Sequence, residues 1–279
     1  MPEVSILPNG GTMYMKAPAP KKTPTKRSDC KGWTRRATRG NTDFLLSVEQ
    51  SQLTGHGLAL SLTVRDCPET PEAWKKIRAK FLDRLRYHGM IRLHWLTEWQ
   101  RRQVPHLHAA VWFDRPVDPL EVVLHWFQSA IEYAPRIDAQ NAIPIYGAPG
   151  WFEYLAKHAA RGVAHYQRSA ELIPRGWQGK TGRVWGKVGQ WPTSDSKVID
   201  PPETVWHQFR RLMIRYQIGK ARRQRDASRS RYFRRYRQKA PPETSRAQAL
   251  PRLWIPEEDQ WQLLRAAFDS HGVKDPPNL

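Results

Sequence analysis

The spacing of apolar residues along the chain switches between a period of two and a period of three to four, and each switch marks an element. Gly57 to Val64 (GLALSLTV) alternates as a strand does, and Pro68 to Pro71 closes it as a turn. From Glu72 to His88 the apolar residues Ala73, Trp74, Ile77, Phe81, Leu82 and Leu85 recur at helical spacing with basic residues between them, which predicts an amphipathic helix. Ile91 to Gln100 and His106 to Phe113 read as two further strands. The connection Arg101-Arg102-Gln103-Val104-Pro105 is short enough to make them an antiparallel hairpin. Pro116 to Pro119 breaks the chain before a helix from Leu120 to Tyr133, and Pro144 to Gly150 precedes another helix that holds Tyr154. The order strand, helix, strand, strand, helix, helix predicts an α+β fold, a sheet antiparallel at its centre with helices packed on it.

After Gly162 the periodicity weakens. Gly176 to Gly186 is rich in glycine and tryptophan and reads as a loop with one short strand. A helical pattern returns from Glu203 to Lys239, and Trp254 to Phe268 reads as a short amphipathic helix started near Pro256-Glu257-Glu258. At the other end, residues 1–40 are rich in Pro, Thr and Lys/Arg, as in Ala17-Pro18-Ala19-Pro20-Lys21-Lys22-Thr23-Pro24. Such a composition buries too little apolar surface to offset the entropy of ordering, so a disordered basic arm is expected there. The expected organisation is an arm over 1–40, a folded core over 41–200 and a basic helical extension over 201–279.

Charge adds the first indication of a partner. The 279 residues carry 46 Lys+Arg against 26 Asp+Glu, a formal net charge of +20, which points to a polyanion. Between His207 and Lys239 there are thirteen Lys/Arg and one acid, Asp226. Like charges at i, i+4 destabilise a free helix, and phosphates would remove the conflict. Arg210, Arg211, Arg215, Arg222, Arg223, Arg225, Arg234 and Arg235 are therefore candidate DNA contacts. The interleaved Tyr232, Phe233 and Tyr236 could stack on bases. Two cysteines, Cys30 and Cys67, are too few for a zinc finger or a disulfide framework and suit a reducing compartment. No stretch has the apolar length of a membrane span, and the N-terminus lacks the apolar segment of a secretory signal, so no membrane partner is expected. Gly176-Trp177-Gln178-Gly179-Lys180-Thr181 ends like a phosphate-binding P-loop, but the required first glycine would fall at Pro174, which argues against ATP binding.

The candidate chemistry lies at His106-Leu107-His108. On a strand both imidazoles face the same way while Leu107 turns to the core, which makes a nascent metal site. Folding of the hairpin could bring Glu98 beside the pair as a third ligand. His94 shares the face of Glu98 and is a rival ligand or a supporting partner. Two nitrogens and one oxygen would accept Mn²⁺ or Mg²⁺. Tyr154 offers a nucleophile, and Lys157 and His158 follow it at i+3 and i+4 on one helical face. Because a phenol is a weak nucleophile at neutral pH, Lys157 or the metal would have to favour its ionised form.

In order and spacing, the strand Leu60 to Val64, then His106-Leu107-His108, then Tyr154 to Lys157 resemble the three motifs of rolling-circle replication initiators. These are the HUH endonucleases of plasmids and of filamentous or other single-stranded DNA phages. The resemblance covers roughly Leu58 to Trp191, and Gly182-Arg183-Val184-Trp185-Gly186 is similar to a segment that follows the tyrosine helix in phage-type members. It implies a palm-like HUH domain within 41–200. It further implies a divalent ion held by His106, His108 and Glu98, and attack by Tyr154 that leaves a 5′-phosphotyrosyl bond and a free 3′-hydroxyl primer. Single-stranded and duplex origin DNA, a host helicase and a host DNA polymerase would be its partners, in the cytoplasm of a bacterial host. Two-tyrosine members repeat the nucleophile one helical turn on, where this chain has His158. A single-tyrosine enzyme is therefore expected, and strand closure would need water, another subunit or a different tyrosine such as Tyr166. Conjugative relaxases place the tyrosine before the histidine motif, opposite to the order here. A single-tyrosine HUH transposase, or a non-catalytic basic nucleic-acid-binding protein whose His-x-His is incidental, are the alternatives.

Overall fold

A computed structural model describes residues 1–15, 31–147, 150–151, 154, 158, 165–225, 227, 230–231, 234 and 253–273. The chain forms two compact units, one from Met1–Pro24, Leu46–Val48 and Thr193–Leu279, the other from Thr25–Leu45 and Glu49–Pro192. Both are α+β with antiparallel sheets, which the pattern of periods predicts for the second unit.

The second unit is built on β3 (His56–Thr63), β4 (Met90–Trp99), β5 (Pro105–Phe113), β6 (Asn141–Ile145) and β7 (Trp185–Gly189), in the spatial order β6-β3-β5-β4-β7. The β4-β5 hairpin sets Glu98 opposite His106 and Leu96 opposite His108, while β3 sets Ser61 opposite His108 and Thr63 opposite His106. Side chains alternate between faces, so this register commits the two faces to different work. One face carries Leu58, Leu60, Leu62, Leu107, Val111 and Phe113 into the core.

That apolar face is covered by α2 (Pro71–Tyr87) and α3 (Pro119–Ser129), through Trp74, Ile77, Phe81, Leu85, Val122 and Trp126. Both helices start as their sequences dictate. Thr70 accepts from the Ala73 amide and Asp118 from the Leu120 amide, each followed by proline at the first helical position. The buried indoles reach polar partners at the sheet: Trp74 Nε1 donates to Thr97 Oγ1 (3.1 Å) and Trp126 Nε1 to the Thr63 carbonyl (2.9 Å). Arg102, at the tip of the hairpin, donates to the carbonyls of Val64 and Arg65 and ties β4-β5 to the end of β3.

Two elements of this unit have no counterpart in the pattern reading. β6 is a short edge strand containing Pro144, a residue that edge positions tolerate and that masks a strand signal. Helix α1 (Arg35–Ser47) has a glycine at its centre. A Cβ at Gly40 would stand 3.1 Å from the Trp185 ring, so close packing asks for what helix propensity disfavours.

The first unit corrects the expected arm. Pro2–Leu7 (β1) and Gly10–Met15 (β2) form a hairpin across Pro8-Asn9, flanked by β8 (Lys197–Ile199) on β1 and β9 (Leu253–Trp254) on β2. Val4, Ile6 and Met13 pack with residues of α4 (Glu203–Arg223) and α5 (Glu257–Asp269), including Trp206, Phe209, Ile214, Leu264 and Phe268. The apolar surface that orders this hairpin is supplied from some two hundred positions further along the chain, which composition averaged over 1–40 conceals. Residues 16–30, with Cys30 and the proline-rich stretch, lie outside the described residues.

α4 also sorts the candidate DNA contacts. Its buried positions are Val205, Trp206, Phe209, Arg210, Met213, Ile214, Gln217, Ile218 and Ala221, so Arg210 belongs to the inner face and not to the exposed basic one expected of it. Arg211, Arg215, Arg222 and Arg223 are exposed. Arg225 ends the regular helix with a left-handed φ of 54° and is exposed, as is Arg234; Arg235 lies outside the described residues. Among the described residues no helix is long and apolar enough to cross a membrane.

Candidate active site

The opposite face of the five-stranded sheet carries His94, Glu98, His106, His108 and Ser61, a polar set placed there by the register described above. Three of the five are buried nonetheless: Glu98 and His94 are 0% exposed and His108 4%. A buried carboxylate needs compensation. Glu98 Oε1 accepts from Arg168 Nε at 2.8 Å, and Glu98 Oε2 lies 3.6 Å from His108 Nε2. Arg168 is held in turn, donating through Nη2 to the carbonyl of His158 at 2.9 Å and lying 3.8 Å over the Trp33 ring.

His108 Nδ1 faces Ser61 Oγ at 2.9 Å, which turns Nε2 toward Glu98. A hydrogen bond on one ring nitrogen that aims the other at a ligand position is how metal-binding histidines are oriented. His158 comes from the helix of Tyr154. Its donor atom lies within 4.8 Å of those of Glu98 and His108, and the three form a buried group able to hold a divalent ion. His106 stands beside the group, its ring 4.3 Å from that of His108 and its Nδ1 accepting from Gln100 Nε2 at 3.1 Å. Of the expected ligands, Glu98 and His108 thus share one group, with His158 as the third member and His106 adjacent. A second group joins His88, at the end of α2, with Glu121 and His125 on α3; it is partly exposed and has the charge of Arg84 beside it.

Helical residues Trp151, Tyr154 and His158 repeat at three and four, so all three bury on the same side. Tyr154 stacks on Trp151 (5.7 Å between ring centres) and meets the His158 ring at 4.6 Å. Its hydroxyl is 2.9 Å from His94 Nδ1, and His94 Nε2 is 2.8 Å from Asn41 Oδ1 in α1. An amide oxygen only accepts, so Nε2 carries the ring proton and Nδ1 accepts from the phenol. His94 is therefore a partner of the tyrosine and lies outside the group of Glu98, His108 and His158. Lys157, expected to assist Tyr154, lies outside the described residues. Tyr166 is 52% exposed with Arg101 over its ring.

Burial, with Lys187 as a lesser cause, holds the His94 imidazole down to about 3. Burial, with Glu98 as a lesser cause, pushes the Tyr154 phenol well above its ordinary range. Both groups are neutral at rest. Because the folded-state value of His94 is depressed below the unfolded 6.5, the unfolded chain binds more protons between about 3 and 6.5. His94 therefore contributes stability that is complete above about pH 6.5 and is lost as pH falls toward 3. Urea unfolding at pH 7 and pH 5 should show a smaller loss of stability for His94→Gln than for the wild type, by about 2 kcal/mol.

Two site residues, Asn41 and Arg168, escape the pattern reading. Arg168 sits in a single 3₁₀ turn, Tyr166–Arg168, where no periodicity marks it, and Asn41 lies in the helix that Gly40 disguises.

Residues 57–168 match the family model described as replication-associated protein ORF2/G2P, a span that runs from β3 to Arg168. A protein named as a replication protein in Xylella fastidiosa strain 9a5c is 44% identical over 266 residues, covering 92% of this chain and 93% of the relative. The replication-associated protein G2P of Pseudomonas phage Pf3 is 43% identical over 250 residues, covering 88% of this chain and 89% of that protein. A further replication-named protein, from X. fastidiosa strain Temecula1, is 43% identical over 242 residues, 84% of this chain and 92% of its own. No solved structure matches. With identity at this level sustained over nearly the full length of both partners, the chain belongs to the replication-associated protein ORF2/G2P family.

Proposed function

We propose that this chain initiates rolling-circle replication by nicking one strand at an origin, with Tyr154 as the nucleophile and the unit of Thr25–Leu45 and Glu49–Pro192 as the endonuclease. The observation that carries the reading is the meeting of Tyr154 with His158, whose donor atom groups with those of Glu98 and His108. One carboxylate and two imidazoles, one of them oriented by Ser61, fit Mn²⁺ or Mg²⁺, with His106 at hand as a further donor. Such an ion, when bound, would polarise the scissile phosphate and offset its developing charge. The protein supplies the rest. Trp151 and the sheet fix the plane of the phenol, and Arg168 holds Glu98 in place from behind. Attack at phosphorus gives a 5′-phosphotyrosyl bond and frees a 3′-hydroxyl to prime a host polymerase, with a host helicase separating the strands in the bacterial cytoplasm. Replication-named relatives of nearly equal length support this role over a transposase.

The test uses the DNA element that carries the gene, tiled as 5′- and 3′-labelled single-stranded oligonucleotides of both strands and incubated with the full chain and Mn²⁺. One short stretch should yield a denaturation-resistant, protease-sensitive adduct on the 5′ end of the downstream fragment. Absence of an adduct on every tile would refute the reading.

The exposed arginines of α4 should track duplex phosphates. Replacing Arg211, Arg215, Arg222 and Arg223 together with alanine should flatten the slope of log K against log salt by up to about 3.6, since each lost phosphate contact removes about 0.9. Fluorescence anisotropy over a salt series measures it, and an unchanged slope assigns the face to another partner.

A further inference from the structure

We infer that His94, oriented by Asn41, is the general base that takes the Tyr154 proton during cleavage and returns it when the strand is rejoined. This rests on the phosphotyrosyl reading above and assigns the residue that reading leaves open, the destination of the phenol proton.

The geometry is a relay of three side chains from three elements. Tyr154 donates to His94 Nδ1 at 2.9 Å, and His94 Nε2–H donates to Asn41 Oδ1 at 2.8 Å. A nucleophile hydrogen-bonded to a base that is itself oriented by a third group is the recurring arrangement for activating a weak nucleophile. Asn41 fixes the tautomer as the third member does in such triads, leaving the lone pair of Nδ1 on the phenol side. Phe44 stacks on the imidazole at 5.4 Å and helps to hold its plane.

The neighbouring groups are less suited to the task. Glu98 is engaged by Arg168 and faces His108. His158 directs its donor atom into the group with Glu98 and His108. Lys187, opposite His94 on β7, is a cation and cannot accept a proton while charged. The Nδ1 of His94 already faces the phenol at 2.9 Å, so the acceptor is in place before substrate arrives.

In the forward step a lone pair of Tyr154 Oη forms the bond to phosphorus as the phenol proton passes to Nδ1. The bond from phosphorus to the 3′ oxygen breaks, its electron pair stays on that oxygen, and the oxygen takes a proton from water. The imidazolium keeps its Nε2–H bond to Asn41 and is offset by the phosphate charge. In rejoining, the 3′-hydroxyl gives its proton to water as its oxygen bonds to phosphorus, the bond from phosphorus to Tyr154 Oη breaks, and the departing phenolate recovers its proton from Nδ1. One tyrosine can then serve both directions.

The experiment is single-turnover adduct formation by the full chain on the oligonucleotide identified by tiling, with Mn²⁺. His94→Gln, which keeps hydrogen-bonding capacity without basicity, should slow the reaction by about 10²-fold or more. Placing trifluorotyrosine at 154, a phenol that ionises readily without a base, should restore much of that rate in His94→Gln and gain nothing in the wild type. Asn41→Leu should also slow the reaction, and Asn41→Asp, which still orients the ring, should not. A wild-type rate in His94→Gln, or a slow His94→Gln that the fluorinated tyrosine leaves slow, overturns the base assignment. Should His94→Gln fail to fold, the wild type decides: adduct formation must slow in D₂O, and an unchanged rate overturns the assignment. Persistence of the adduct in Tyr154→Phe would refute the phosphotyrosyl reading itself, an outcome distinct from any of these.

Discussion

Tyr154→Phe is expected to abolish the covalent adduct, lowering its rate of formation by about 10³-fold or more, while changing DNA affinity little. The substitution removes one oxygen from a ring that is 4% exposed and stacked on Trp151, so shape and apolar burial persist. The lost group is also the donor to His94 Nδ1, and an imidazole nitrogen left unpaired in a fully buried site costs about 1–3 kcal/mol. Some destabilisation should therefore accompany the loss of activity, visible as a lower urea midpoint with an unchanged slope. Denaturing gels with end-labelled oligonucleotide measure the adduct, and anisotropy measures binding. Retention of the adduct would move the nucleophile elsewhere, and Tyr166, exposed and outside the buried group, would be the next to test.

Much of this site can be read from the chain because strands carry their geometry locally. The period of two puts His106 and His108 on one face, and a hairpin of fixed loop length sets Glu98 opposite His106 without knowledge of anything distant. The same period puts His94 on that face, but its task depends on Asn41, fifty-three positions earlier in a helix that Gly40 obscures. Arg168 is less legible still, since an arginine in a single turn carries no periodic signal and its partner, Glu98, is seventy positions away. His158 was visible as the residue one turn beyond Tyr154; that its donor atom groups with those of Glu98 and His108 follows only from how the helix lies on the sheet. The N-terminal hairpin fails for a related reason. Its strands are short and apolar enough, but their partners come from the far end of the chain, and a long-range pairing leaves no local trace.

Glu98→Ala is expected to destabilise the fold by about 3–5 kcal/mol, because it strips the carboxylate from a guanidinium that has no exposure to water. Among its contacts, the carbonyl of His158 and the face of Trp33 would persist and orient Arg168, but neither carries the formal charge that Glu98 supplies. Removing the arginine as well should reverse much of the loss. In Glu98→Ala/Arg168→Leu both charges of the pair are gone, so the double variant should be more stable than Glu98→Ala alone, a coupling that a double-mutant cycle of urea unfolding would read directly. Activity should follow the opposite logic. Both variants lack the oxygen that groups with His108 and His158, so restoring stability should not restore nicking, and added Mn²⁺ should rescue neither fully. A double variant that recovers stability and remains inactive would separate the two duties of Glu98, balancing Arg168 on one oxygen and facing His108 with the other. Recovery of nicking along with stability would instead make the carboxylate a purely structural group and return the third ligand position to His106.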